Sequence, residues 1–444
     1  MEFANVVFLF LVLPVFLISY YFASVKFKNL VILFFSFLML LYGAPKLFIY
    51  FIIFSLANYL VSYLLYKINK KAIRIVLLTL AICSYFILFH WFTNKDYCFI
   101  YFFRDSILKK IYFSVFFFNL FSYLVDVYKN RVEFKKNVLD YLVYVFMFFK
   151  FYVGPVVPYY RICGAIEKRD VLLKDVVIGI EKFILGLLKV SIFAYEMGQI
   201  KNIFALECEQ KLTLISAWFG VAVIFFRYYF YFSGYCDMAN GLAKMVGFCF
   251  PSEFKNKIFC KSIGEYFRSF HVNTINFLKF YISPWVNYKN KIFKILKYIF
   301  IVLLLWYILI KMCDINFIGV FYFGILFFLE MKFFKEKLYK LPKILRQIII
   351  FILILIGVNF CFVKNFSCVF FSMFFLNNAF FDETLTSFIG VFKFFIILFC
   401  FFSINSFLKY IQKPREKHQN VIIALKYVFF LVILIFCFSY CLSF

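Results

Sequence analysis

The stretch Tyr231-Phe-Ser-Gly-Tyr-Cys-Asp-Met-Ala-Asn-Gly-Leu-Ala-Lys-Met-Val-Gly-Phe248, followed by Glu265-Tyr-Phe-Arg-Ser-Phe-His271, breaks this chain's own rule. Nearly everything around it is apolar, yet here Gly, Ser, Asp, Asn, Lys, Glu, Arg and His collect between residues 231 and 271. In hydrocarbon, polar side chains and irregular backbone persist only where protein or a water-filled cavity surrounds them. A polar block in such a chain is therefore a functional candidate.

Working outward, the 444 residues are 66% hydrophobic and 16% charged, against about 25% charged in soluble domains. Runs at 6–22, 48–66, 75–92, 301–310 and 421–442 carry few or no charges. A helix needs about 20 apolar residues to cross a bilayer, and shorter runs need tilt or extension. The first run lacks a basic leader region and a small-residue cleavage site, so it reads as a retained span rather than a signal peptide. Aromatic residues make up 25% of the chain. That bias runs its whole length, so no single aromatic carries weight.

The formal charge of +27 arises from 49 Lys and Arg against 22 Asp and Glu. On a soluble domain this excess would suggest nucleic acid. Here the cations cluster at 26–28, 67–74, 129–136, 332–346 and 409–417, between apolar runs. There they set orientation and meet anionic head groups, so the expected partner is the lipid bilayer and not a nucleic acid. Placing the clusters in the cytoplasm puts the N-terminus outside. The thirteen cysteines show neither C-x-x-C spacing nor pairing with His90, His271 or His418. A disulfide framework or a metal site is not expected.

The hydropathy pattern predicts about 10–11 transmembrane helices, an all-α polytopic membrane protein with no soluble domain and no internal repeat. We read residues 1–444 as one integral membrane domain, with a motif core at about 115–330 and C-terminal helices over 344–444. A helix at 111–128 ends at the basic loop 129–136. Another, at 139–153, is broken by Gly154-Pro155, because proline lacks the amide donor and clashes with the preceding turn. Helices at 179–200 and 212–232 follow. Segments within 233–284 are too short or too charged to span simply and read as re-entrant or interfacial. Spans resume at 292–310, 315–328, 344–363, 388–408 and 421–442.

Four blocks, in order, carry a family resemblance. Phe121-Ser-Tyr-Leu-Val-Asp-Val-Tyr128 resembles L-S-Y-L-I-D-V-Y, and Val153-Gly-Pro-Val-Val-Pro-Tyr-Tyr-Arg161 resembles A-G-P-I-V-R-Y. Tyr231 to Phe250 resembles F-S-G-Y-S-D-M-A-x-G-L-x-x-M-x-G-F, and Glu265 to Ile282 resembles E-F-W-R-R-W-H-I-S-L-S-x-W-F-R-D-Y-L. These are the motifs of the membrane-bound O-acyltransferases, in their alginate O-acetyltransferase-like branch. The resemblance covers roughly residues 5–330. It implies a helical bundle with re-entrant and interfacial helices around a central funnel, in the inner or plasma membrane. It also implies transfer of an acetyl group from acetyl-CoA, or another acyl thioester, across the membrane to hydroxyls of an exported polysaccharide or cell-envelope glycan. In that branch a secreted acetyltransferase partner can complete the transfer. No cofactor is bound; the acyl-CoA is a substrate.

A hydroxyl of high pKa is a weak nucleophile, so a base must take its proton as it attacks the thioester carbonyl, while donors stabilise the oxyanion. By resemblance His271 is a candidate base or a chamber-lining residue. The family's second histidine, in a G-L-W-H-G block, falls in Val302-Leu-Leu-Leu-Trp-Tyr-Ile308. Trp306 matches, but Tyr307 stands in the histidine's place, and Ser269 and Phe270 replace the Arg and Trp before His271. Asp237, Asn240, Glu265, Arg268 and Trp306 are the candidate substrate-binding residues.

Each has a plainer reading. His271 could satisfy a buried hydrogen bond, and Asp237 could cap a helix. Tyr307 could be packing, since a phenol's pKa of about 10 needs a strong shift to serve as a base. Asp126 and Arg161 either bound a cytoplasmic vestibule or form a structural ion pair. Three functions stay open: an active O-acyltransferase, a catalytically impaired homologue serving as scaffold or acyl relay, and a transporter or flippase with a polar midplane. The missing histidine separates the first two, and the ordered motifs weigh against the third.

Overall fold

The computed structural model describes residues 3–43, 45–94, 106–151, 154–207, 213–254, 258–270, 272–282, 316–363, 365–374, 385–411 and 419–442. Among these the chain is helical and contains no strand. Six helices are long and apolar enough to cross a membrane: Leu47–Lys67, Leu214–Met245, Phe317–Phe334, Lys343–Phe362, Ile389–Leu408 and Ala424–Cys441. Phe8–Phe22, Lys28–Gly43 and Ser114–Tyr128 are shorter apolar helices. Large apolar side chains stand exposed on these helices, among them Phe22, Leu60, Ile344, Phe392, Phe399 and Leu431. In water such a surface would be costly; facing lipid tails it is not. The protein is an all-α polytopic membrane protein. The span expected at 292–310 lies outside the described residues.

The chain divides into two compact units. The first comprises Met1–Phe183, Tyr235–Asn256 and Phe267–Ile315, and the second Ile184–Gly234, Lys257–Tyr266 and Asn316–Phe444. In the first, α2 (Lys28–Gly43) packs on α6 (Val138–Phe146), and α3 (Pro45–Lys67) and α4 (Lys71–Asn94) pack on α5 (Ser106–Tyr128). Its core is rich in fully buried tyrosines, including Tyr20, Tyr123, Tyr141, Tyr144, Tyr159 and Tyr281. A buried phenol needs a hydrogen-bond partner inside the protein. Accordingly Tyr141 donates to the Ser55 carbonyl at 2.8 Å and Tyr144 to the Val157 carbonyl at 3.1 Å. In the second unit the helices Phe317–Leu329 and Lys343–Phe362 pack together, and the Trp218 indole donates to the Met373 carbonyl at 2.9 Å.

Two sequence expectations change. The helix expected over 139–153 is interrupted at Met147, ahead of Gly154-Pro155, giving α6 and a single turn, α7 (Phe148–Phe151). The Asn137 side chain caps α6 by accepting the Leu139 amide at 3.1 Å. The Phe148 amide at the break is taken up by Ser36 Oγ at 3.1 Å, so the interruption leaves that donor satisfied. The second change concerns residues 233–245. They do not form short re-entrant segments but continue a 32-residue helix, α11 (Leu214–Met245). Packing offsets the cost of its glycines: Gly234 and Gly241 each meet a neighbouring backbone, as described below.

Candidate functional site

On α11 the polar residues Ser233, Asp237, Asn240 and Lys244 recur at intervals of four, three and four, which places them along one stripe of the helix. Asp237 lies within the helix and does not cap it. It is half-buried, whereas Asn240 is 4% exposed and its Oδ1 has no hydrogen-bond donor among the described residues. A buried acceptor without a donor costs roughly 1–3 kcal/mol. Lys244 pairs with Asp175 at 3.2 Å.

The glycines of the same block serve a different face. In the first unit a Cβ built on Gly179 of α9 (Leu173–Leu188) would lie 2.7 Å from the Gly241 carbonyl oxygen. In the second, a Cβ built on Gly234 would lie 2.8 Å from the Gly186 carbonyl oxygen. Within each unit, then, a glycine of α11 meets the backbone of a glycine of α9. Close backbone approach at small residues is how helices associate in lipid, where no hydrophobic force drives them together.

The C-terminal end of α11 is held by residues that sequence reasoning missed. Tyr20 and Tyr21 donate to the carbonyls of Val246 and Met245 at 2.7 and 2.8 Å. Arg169 Nε donates to Tyr20 Oη at 2.9 Å and to the Val246 carbonyl at 3.2 Å, and its Nη1 donates to Asn29 Oδ1 at 2.7 Å. The last carbonyls of a helix have no partner inside it, and this clamp supplies partners.

Glu265 and Arg268 lie on the short helix α12 (Ile263–Ser269). Glu265 Oε2 accepts the Lys261 amide at 2.7 Å, and Ser262 Oγ accepts the Glu265 amide at 2.9 Å. This resembles the reciprocal arrangement of a capping box, so the Glu265 carboxylate has a local helix-starting role. Arg268 is exposed. His271, Trp306 and Tyr307 lie outside the described residues, as does His418.

The residues that follow His271 in sequence are held by a second acid that sequence reasoning missed. Glu253, 4% exposed, accepts the amides of Asn273 and Thr274 at 3.0 and 3.2 Å and the Thr274 hydroxyl at 2.7 Å. Its own carbonyl accepts the Val272 amide at 3.0 Å. Glu253 thus starts α13 (Val272–Ile282). Burial pushes its carboxyl above the ordinary carboxylate range, and the bonds from Thr274 and Asn273 oppose that shift. The signal available in sequence was one acid in an otherwise apolar and basic stretch.

Three of the four motif blocks meet in the first unit. Asp126 of α5 is fully buried. Its Oδ2 accepts the Tyr281 hydroxyl at 2.8 Å and the Tyr160 amide at 3.2 Å, and its Oδ1 faces Arg131 Nη1 at 3.4 Å. Ser122 Oγ lies 2.7 Å from the Tyr281 hydroxyl and accepts the Tyr159 amide at 2.8 Å. The block 121–128, the loop leading into α8 (Tyr159–Glu167) and the end of α13 are therefore tied at one point. Of the two readings open for Asp126 and Arg161, the ion pair between them is not formed among the described residues. Arg131, five residues beyond Asp126, takes its place, and Arg161 donates to Tyr160 Oη at 3.1 Å instead.

In this polytopic helical membrane protein three of the ordered motif blocks thus converge on one buried polar core. Among curated relatives, the chain is 29% identical over 286 residues to "Probable alginate O-acetylase AlgI" of Pseudomonas fluorescens, covering 64% of this chain and 56% of that protein. It is 29% identical over 299 residues to the protein of the same name in Pseudomonas putida, covering 64% and 60%. It is 27% identical over 149 residues to "Peptidoglycan O-acetyltransferase" of Helicobacter pylori, covering 33% and 28%. The resemblance to the alginate O-acetylase branch is thereby borne out. The chain spans 56–60% of the length of the first two relatives. No family model matches it.

Proposed function

We propose that the protein is a membrane-bound O-acyltransferase that takes acetyl from acetyl-CoA and passes it to hydroxyls of an exported polysaccharide or cell-envelope glycan. The observation that carries this reading is the alignment over 64% of the chain with proteins named for O-acetylation of alginate, together with the meeting of three motif blocks at Asp126. In the proposed reaction the acceptor oxygen attacks the thioester carbonyl, the C–S bond breaks, and the hydroxyl proton passes through a base to the departing thiolate. His271 is the proposed base. Asn240, with an open buried acceptor, would orient the hydroxyl through its proton, and Asp237, Arg268 and Glu265 belong to the proposed substrate-binding set with Trp306. The acceptor is reached directly or through a secreted acetyltransferase partner, in the plasma or inner membrane with the N-terminus outside.

A second reading rests on one specific feature, Tyr307 at the family's histidine position. On it the protein is a scaffold or acyl-relay subunit without full catalysis of its own.

The test is transfer from radiolabelled acetyl-CoA to a candidate glycan by the reconstituted protein, comparing wild type, His271→Ala and Tyr307→Phe. The enzyme reading expects turnover by wild type and its loss in His271→Ala. Wild type without donor turnover leaves the scaffold reading standing. Full activity in His271→Ala removes the proposed base.

A further inference from the structure

Cations and aromatic rings share one face of the first unit, beside the Asp126 junction. Arg131 lies over the Phe280 ring at 4.0 Å, and Phe280 stacks on Tyr160 with centroids 4.8 Å apart and planes 26° apart. On the other side Arg161, exposed, is bonded to Tyr160 Oη. Two guanidinium groups thus flank a stacked aromatic pair. Lys129 follows directly on α5 beside Arg131. Burial first, and then the charge of Arg131, hold the Lys129 amine below its ordinary range.

The carboxylate paired with this face, Asp126, is fully buried and already serves Tyr281, Tyr160 and Arg131. Glu133, exposed on the same loop, makes no ion pair or hydrogen bond among the described residues. Like charges that lower one another's pKa are stabilised by an added anion. Guanidinium forks match the oxygens of a phosphate, and stacked rings beside them suit a ligand with an apolar or planar part next to its charge. By contrast Lys135 is already paired with Glu167.

We propose that Arg131, Arg161, Tyr160 and Phe280 form a binding site for a phosphate group carried on a larger ligand. Two ligands supply that chemistry: the head group of an anionic phospholipid, and the nucleotide end of a soluble thioester donor. Only the second rests on the acetyl-transfer reading.

Two probes separate them. The protein in phosphatidylcholine nanodiscs is titrated with adenosine 3′,5′-bisphosphate by calorimetry. In discs that also hold phosphatidylglycerol, native mass spectrometry reads the lipid retained. We expect one probe to bind wild type and to weaken about tenfold or more in Arg161→Gln, the loss of one charge-assisted contact. Arg131→Gln with Arg161→Gln is expected to weaken it further, and Lys135→Gln to leave it unchanged. Among the described residues the Arg161 side chain donates one hydrogen bond, to Tyr160, so the single variant decides the matter even if the double variant fails to fold. The site is refuted if neither probe binds wild type, if Arg161→Gln binds like wild type, or if Lys135→Gln weakens binding equally. The readout is binding, so a protein inactive in acetyl transfer can still pass, and an active one can still fail.

Discussion

Gly241 of α11 and Gly179 of α9 meet backbone to backbone: a Cβ on Gly179 would stand 2.7 Å from the Gly241 carbonyl oxygen. The block that stands out in the sequence as polar is thus also a helix-packing surface. A methyl group on Gly241 would stand 2.5 Å from the Gly179 carbonyl oxygen and 2.8 Å from the Phe183 amide nitrogen, and backbone cannot swing aside as a side-chain end does. Gly241→Ala should destabilise the protein by about 1–3 kcal/mol, the cost of overpacking, despite alanine's better helix propensity. Gly164, whose Cβ would meet nothing within 4 Å, is the control: Gly164→Ala should be neutral or slightly stabilising. Thermal unfolding of both variants in one detergent checks the pair, and equal melting temperatures would remove the packing argument.

The Tyr281 hydroxyl bonds Asp126 Oδ2 at 2.8 Å and Ser122 Oγ at 2.7 Å. Tyr281→Phe keeps the ring contacts and leaves a buried acceptor short of its donor, a loss of about 1–3 kcal/mol. Asp126→Asn should cost a similar amount. Because the two residues share one bond, the double variant should cost less than the sum. Additive losses in a double-mutant cycle would show that the bond is not formed.

Arg169 donates through Nε to Tyr20 and the Val246 carbonyl and through Nη1 to Asn29, all from one planar fork. Lysine offers a point charge on a flexible stem and cannot span them. Arg169→Lys should therefore lose most of the stability lost by Arg169→Ala, roughly 2 kcal/mol or more for several bonds to a charged group. Melting temperatures that show full rescue by lysine would reduce the clamp to simple charge.

Glu253 links stability to pH. Its folded carboxyl is pushed above the ordinary range, chiefly by burial, so the neutral acid is favoured in the folded protein. That contribution is fully present below the unfolded pKa and is lost as pH rises through the folded value. Glu253→Gln does not titrate. The melting temperature of wild type relative to Glu253→Gln should therefore fall as pH rises above the ordinary carboxylate range. A rise there would mean that the hydrogen bonds from Asn273 and Thr274 outweigh burial.

Much of the fold is legible in the chain alone. Apolar run lengths locate the helices, because a bilayer sets one length scale for all of them. The motif blocks and their order point to the alginate O-acetylase branch, and they contain Asp126, Tyr160 and Tyr281. Misreadings arise where a local rule meets a tertiary partner. The polar residues from 233 onward read as re-entrant or interfacial, yet α11 runs through them to Met245, with another helix filling the space beside Gly234 and Gly241. An ion pair of Asp126 with Arg161 from the next block was one of two open readings, whereas Arg131 lies five residues away and reaches it. Glu253 and Arg169 carry no periodicity and no motif, so nothing local marks them.

Hydropathy and ordered motifs are properties of the chain itself, and they suffice to make this a many-helix membrane protein of a recognisable kind. What its polar residues do is a matter of tertiary contact. Hydrogen bonds and close backbone approaches join positions far apart in the chain: Asp126 with Tyr281, Tyr20 with Val246, Gly179 with Gly241. No local pattern encodes these pairings. In a medium that offers no water to a stray donor or acceptor, such partners settle which polar groups hold the fold and which remain open to a ligand.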